Sequence, residues 1–206
     1  MTLSRLIVLS LLFCVMAFQP VAAANKTSPE EASKFIQELG SNAVTLLADK
    51  AIPLSEREAK IRDLLRRHFD LATIGRFVLS KNWRTASPDQ REEYLNLFSE
   101  FVVRTYAIRL GGYAGETFNI TSAKPLGKRD AIVVTEIARR AGPPLKAGWR
   151  VRNRGSGHKI IDVMVEGVSM AAAQRSEFET IVRKEGVVGL IEILRAKVSS
   201  FSARSS

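Results

Sequence analysis

The chain has 206 residues, 46% of them hydrophobic, which suits one domain with a sizeable core. Its 31 Lys+Arg against 21 Asp+Glu give a formal net charge of +10, so an acidic partner is expected: nucleic acid, an anionic membrane surface or an acidic protein. A single cysteine excludes a disulfide framework within the chain.

Residues 1–24 read as a secretory signal peptide. Arg5 supplies the positive start, residues 6–18 are an apolar run of 13, and Ala22-Ala23-Ala24 offers a small-residue cleavage site. A bilayer span needs about 20 apolar residues, so the run is short for an anchor. Cys14 falls inside it, and the mature domain, residues 25–206, then has no thiol. An exported domain without disulfides relies on its core, which fits a bacterial periplasm better than an extracellular setting. Export, and the lack of zinc-ligand spacing or an aromatic-basic RNA motif, argues against nucleic acid.

In chain order, Ser28-Pro29-Glu30-Glu31 predicts a helix start with Ser as cap and Pro in the first turn. Ala32, Phe35, Ile36, Leu39, Ala43, Leu46 and Leu47 carry that helix to about Lys50. Ser55 with Glu58 predicts a second capped helix bearing Ile61, Leu64 and Leu65. Asp70 caps a short third helix, with Leu71, Ile74 and Val78 facing inward. Ser87-Pro88-Asp89-Gln90 opens the longest predicted helix, which runs to Gly111-Gly112 with an aromatic-rich apolar stripe.

From Glu116 the period changes. Residues 118–121, 131–138, 146–153 and 159–166 read as strands joined by short connections, hence antiparallel neighbours. In the third, Arg150, Arg152 and Arg154 share a face opposite Trp149, Val151 and Asn153, so that face is expected to be partly wet. In the fourth, Ile161, Val163 and Val165 are placed on one face, and Ile160, Asp162, Met164 and Glu166 on the other. Asp162 and Glu166 are expected to answer Arg150 or Arg152 across the sheet. Gly167 turns the chain, and Ser169 caps a helix broken at Gly186. The fold class is therefore α+β: one antiparallel sheet of about four or five strands packed with flanking helices.

Catalysis finds no support. His68 beside Asp70 reads as a local hydrogen bond, and His158 as an exposed residue after a turn. No nucleophile elbow, phosphate loop, zinc motif or dinucleotide fingerprint occurs. Asp162 and Glu166 lie about 13 Å apart at strand rise, too far for a glycosidase pair. The expectation is a binding protein with no catalytic residue, metal or cofactor.

The run Asp162-Val163-Met164-Val165-Glu166-Gly167-Val168-Ser169, followed by Arg175-Ser176-Glu177-Phe178, resembles the signature of the MlaC family. These are periplasmic phospholipid-shuttle proteins, also described as toluene-tolerance auxiliary components of ABC transporters. Phe69-Asp70, Leu79 with Trp83-Arg84, Ser87 with Gln90-Arg91, Phe98 with Phe101 and Tyr106, and Gly186 with Leu190 extend the resemblance over the mature chain. His158 and Gln174 stand where that family often carries aromatic residues.

The resemblance implies a monomeric carrier whose cargo is a phospholipid, with tails in an apolar pocket between sheet and helices. Its partners would be an inner-membrane ABC transporter complex with an MCE-type subunit and an outer-membrane lipoprotein-porin complex. The role would be maintenance of outer-membrane lipid asymmetry. Candidate tail contacts are Phe77, Phe98, Phe101, Val102, Tyr106, Val134, Val163, Val165 and Val168, any one of which serves equally as ordinary core. A hopanoid or other amphiphile as cargo, a small-solute binder or enzyme on a similar fold, and a cargo-free adaptor remain as alternatives.

Overall fold

The computed structural model describes residues 26–111, 117–138 and 142–203; the expected signal peptide, Cys14 and Gly112 lie outside them. Five helices precede the sheet: α1 (Pro29–Ala48), α2 (Leu54–His68), α3 (Leu71–Leu79), α4 (Asn82–Thr85) and α5 (Pro88–Gly111). Their starts follow local chemistry. Ser28 Oγ accepts from Glu31 N at 3.4 Å, and Asp70 Oδ1 from Thr73 N at 2.9 Å. Ser87 and Gln90 form a reciprocal capping box, with bonds of 3.2 and 3.0 Å. The expected Ser55 cap is absent, because α2 begins two residues earlier, at Leu54, with Pro53 as its cap and no side-chain bond. Proline already fixes the entry dihedral and places Ser55 inside the first turn.

The sheet follows as β1 (Phe118–Leu126), β2 (Asp130–Ile137), β3 (Leu145–Asn153), β4 (His158–Val165) and the short β5 (Val168–Ser169), antiparallel throughout and in sequence order. Glu166 and Gly167, with φ of 49° and 82°, make the two-residue turn between β4 and β5. The final helix, α6 (Met170–Ala203), is kinked at Gly186, where φ is 70°. The break expected there is present.

Two strands depart from strict alternation: Thr121 is an extra residue in β1, between Ile120 and Ser122, and β4 carries a second irregularity. Val151 pairs with Ile160, yet Arg150 pairs with Asp162, so Ile161 is an extra residue in β4. This bulge corrects the expected faces: Ile160, not Ile161, lies on the side of Val163 and Val165. Both isoleucines are buried.

The helix α1 packs across β1, β2 and β3, while α3 and α6 reach the sheet at β4. Ala32, Ile36 and Leu39 of α1 meet Ala131, Val133, Val151 and Ile160 in the core under the sheet. A second core lies among α3, α5 and α6, built on Tyr94, Phe98, Phe178, Leu190 and Leu194. A third joins α1, α2 and α5 through Leu47, Ile61, Leu65, Val103 and Ala107. The Tyr94 hydroxyl donates to the Gly75 carbonyl at 3.0 Å, and burial pushes its phenol up.

On the opposite sheet face the arginines are answered by Asp130 rather than by Asp162 or Glu166. Arg150 reaches Asp130 Oδ2 at 2.6 Å and Arg152 reaches Oδ1 at 2.6 Å. Asp162 instead accepts from Ser169 Oγ (2.6 Å) and Ala171 N (3.2 Å) at the head of α6, and Glu166 accepts from Lys146 N. Burial acts to raise the Asp130 carboxyl, but hydrogen bonds from Arg152 and Arg150 outweigh it and hold the group below the usual range. Its contribution to stability is therefore complete at neutral pH and is lost as the pH falls through the lowered value. Asp130→Asn is expected to cost about 2–3 kcal/mol at pH 7. Urea unfolding at stepped pH checks this: the gap to the native chain should close below about pH 4.

Candidate functional site

The face of the sheet under α1 is largely apolar, and its large side chains are buried unevenly along its length. At the end where β2 begins and β3 ends, Ala131, Val133, Val151 and Ile160 are fully buried. Towards the other end, Phe118, Ile137, Trp149, Val163 and Val165 remain only half-buried. Trp149 is fixed there by its indole N–H, which donates to Thr135 Oγ1 at 2.9 Å, and by edge contact with Phe118 at 6.4 Å between centroids. Thr135 is itself fully buried, and its hydroxyl also lies 3.4 Å from the Ala147 carbonyl. Phe118, Trp149 and Val163 thus pack against the core under α1, Gly40 of that helix leaving room for the Phe118 ring, while each side chain keeps some exposure.

The helical layer shows the same incomplete burial. Val102 and Tyr106 lie on adjacent turns of α5, both half-buried. Tyr106 borders the α1–α2–α5 core together with Leu46, Phe69 and Leu71. Phe69 packs against that core and against the core under the sheet, so it joins the two layers. Its backbone forms a parallel bridge with Ile160, and Asp70 N donates to the Ile160 carbonyl at 2.9 Å. At the surface the Arg109 guanidinium stands 5.5 Å over the Tyr106 ring.

The titratable groups sit elsewhere and do not converge. His68 does not bond Asp70, which caps α3 and pairs with Arg154. Instead His68 and His158 flank the Phe35 ring, at 5.6 and 5.8 Å. His158 is half-buried rather than exposed, with Nε2 3.5 Å from Glu31. Burial lowers the His68 pKa, and the charges of Arg67 and Lys159 lower it further. A groove of about 330 Å³ between α1 and α2 is lined by Asn42, Leu46, Lys60, Asp63, Leu64, Arg67 and His68, a mostly polar set. Among the described residues no His, Cys, Asp and Glu are grouped to hold a metal ion. No described helix is long and apolar enough to cross a membrane.

Residues 37–196 match the family model described as MlaC protein. The chain belongs to the MlaC family. It is 28% identical over 143 residues to the intermembrane phospholipid transport system binding protein MlaC of Haemophilus influenzae, covering 68% of this chain and 67% of that protein. Its fold is similar to the phospholipid-binding protein of Ralstonia solanacearum, solved in complex with a phospholipid, with a TM-score of 0.73 at 18% identity. That match covers 84% of this chain and 99% of the Ralstonia chain.

Within this MlaC-family fold the nine residues singled out from the sequence separate into distinct places. Val102 and Tyr106 belong to the half-buried helical side, and Val163 and Val165 to the half-buried sheet wall. Val168 pairs with Val165 across the β4–β5 turn and is 57% exposed, so it stands at a rim. Phe98 is taken up by the helical core, stacked on Tyr94 at 5.7 Å and edge-on to Phe178 at 6.2 Å. Phe101 borders the same core and carries the Lys197 ammonium over its ring. Val134 lies opposite Gly148, on the sheet face that carries Arg150 and not the one that carries Val163. Phe77 is 45% exposed on the outside of α3.

Sequence reasoning missed Trp149, Thr135, Phe118 and Phe69. Strand alternation places Trp149 with Val151, and that signal was available. The placement of Phe98 makes it core, so Phe98→Ala is expected to cost about 3–5 kcal/mol. Denaturant unfolding checks this, and a loss under about 1 kcal/mol would place the ring outside the packed core.

Proposed function

We propose that this chain is a periplasmic carrier of phospholipid, and that the acyl chains occupy the space between the half-buried end of the sheet and α5. The observation that carries this reading is the paired incomplete burial: Trp149, Val163 and Val165 on one side, Val102 and Tyr106 on the other. Soluble domains bury such residues when nothing else covers them, and an amphiphile's tails supply the missing apolar contacts. Family membership supports the same reading, as do relatives described as phospholipid-binding and as part of an intermembrane transport system.

The energetics explain why a carrier is needed and why it needs no catalytic group. Each methylene moved from water into an apolar site is worth about 0.8 kcal/mol, so a two-chain lipid crosses water unaided only at a cost of tens of kcal/mol. A pocket that shields the tails removes that cost without breaking a bond. Rigid walls hold the pocket open, and here the Trp149–Thr135 hydrogen bond and the Phe118 contact hold one of them.

In this reading residues 25–206 form one domain exported by the signal peptide. It docks in turn with an inner-membrane ABC transporter complex carrying an MCE-type subunit and with an outer-membrane lipoprotein-porin complex, and so maintains outer-membrane lipid asymmetry. The overall basic charge suits acidic docking surfaces on such partners.

Organic extraction of the purified protein followed by mass spectrometry tests the reading. A phospholipid at close to one per chain is expected; a hopanoid, a small polar solute or no ligand would each overturn it in favour of that alternative. Val165→Asp should lose most of the bound lipid while keeping its helical circular dichroism and cooperative unfolding. If that variant unfolds, Val165 is core and the tails lie elsewhere.

A further inference from the structure

The outer surface of α3 carries an aromatic and basic group that the carrier reading does not use. Ile74, Val78 and Leu79 turn into the helical core, which leaves Arg76 and Phe77 facing out. The Arg175 guanidinium of α6 stands 5.0 Å over the Phe77 ring. Next to it two guanidinium groups stand over Trp83, Arg76 at 5.1 Å and Arg91 at 5.4 Å from its ring centre. Arg91 is fixed by donating to the Trp83 carbonyl at 2.7 Å and to the Arg84 carbonyl at 3.2 Å. Among the described residues none of Arg76, Arg84, Arg91 and Arg175 pairs with a carboxylate, and the nearby Glu179 is engaged by Lys81 at 3.4 Å.

We propose that this α3–α4–α6 face is a contact surface for an anionic phospholipid membrane. Two features of the group select that occupant. The guanidinium groups match lipid phosphates in charge and hydrogen-bonding geometry. The ring of Phe77, 45% exposed and outside every described core cluster, is an apolar body beside those cations. A membrane surface accepts both at once, cations at headgroup level and an aromatic ring at the acyl boundary. An acidic protein surface would answer the charges but offers no apolar layer beneath them for the exposed part of the ring. Contact of this kind is weak and salt-sensitive, as a protein that must leave the membrane again requires.

The proposal does not rest on the cargo, and the two are separable in one experiment. The purified protein is sedimented with vesicles of phosphatidylcholine alone or of phosphatidylcholine with phosphatidylglycerol. Retention on the phosphatidylglycerol vesicles is expected, falling as salt is raised. The double variant Arg76→Gln, Arg175→Gln should bind about ten-fold more weakly or less still, and Phe77→Ser several-fold more weakly. These side chains lie outside the core, so both variants should keep native circular dichroism, and extraction of the same samples reports the cargo independently. Equal retention on both vesicle types, no retention at low salt, or undiminished retention by the folded variants would overturn the surface. Binding to an acidic protein without binding to vesicles would overturn it equally.

Discussion

The architecture depends on one extra residue in β4. By skipping Ile161 in the pairing with β3, the strand directs Ile160 under α1 and still keeps Val163 and Val165 on that same face. The bulge also leaves Asp162 on the opposite side of the strand, where it accepts from Ser169 and Ala171 and fixes the start of α6. A strictly alternating strand would set Ile160 beside Asp162, on the face that carries Arg150. The core under α1 would then lose its fully buried isoleucine, and the sheet its continuous apolar wall. The local kink of a bulge, where two residues oppose one, is the geometric means by which one short strand serves the sheet, the helical layer and the proposed tail pocket.

Charge on the other face obeys a different constraint. Arg150 and Arg152 in alternate positions of β3, with Arg154 just beyond its end, would repel one another and oppose folding. The chain pairs two of them with a single buried Asp130 and ties the third, Arg154, to Asp70 at the head of α3. The first two pairs tie β3 to β2, and the third ties the end of β3 to α3. The side facing α1 is thereby left free of these charges, and its buried hydroxyl, Thr135, is satisfied by Trp149, which suits a site for acyl chains.

Much of this was legible in the sequence because it is local. Helix starts at Ser28, Asp70, Ser87 and Ser169 follow from side chains one turn away from the amides they cap, and the Gly167 turn and Gly186 break follow from backbone freedom. Alternation in β3 put Arg150 and Arg152 opposite Trp149 correctly, whereas Arg154 lies just beyond the strand's end. What the sequence did not disclose is non-local. The bulge at Ile161 has no composition signal, so the face of Ile160 was misplaced. Asp130 opens a strand and reads as a turn residue until the register sets it beside two guanidinium groups. Phe98 and Tyr106 lie on one stripe of α5, yet the first meets α6 and is sealed, whereas the second meets α1 and α2 and stays partly open. Which fate a residue meets depends on neighbours more than thirty residues away.

The central claim is positional: lipid tails lie between the half-buried end of the apolar sheet face and α5. A crystal structure of the protein loaded with a phospholipid bearing brominated acyl chains tests it most directly. The account predicts anomalous bromine peaks in van der Waals contact with Val163 or Val165 on one side and Val102 or Tyr106 on the other. Peaks on the opposite sheet face beside Val134 and Gly148, or in the groove between α1 and α2, would contradict it.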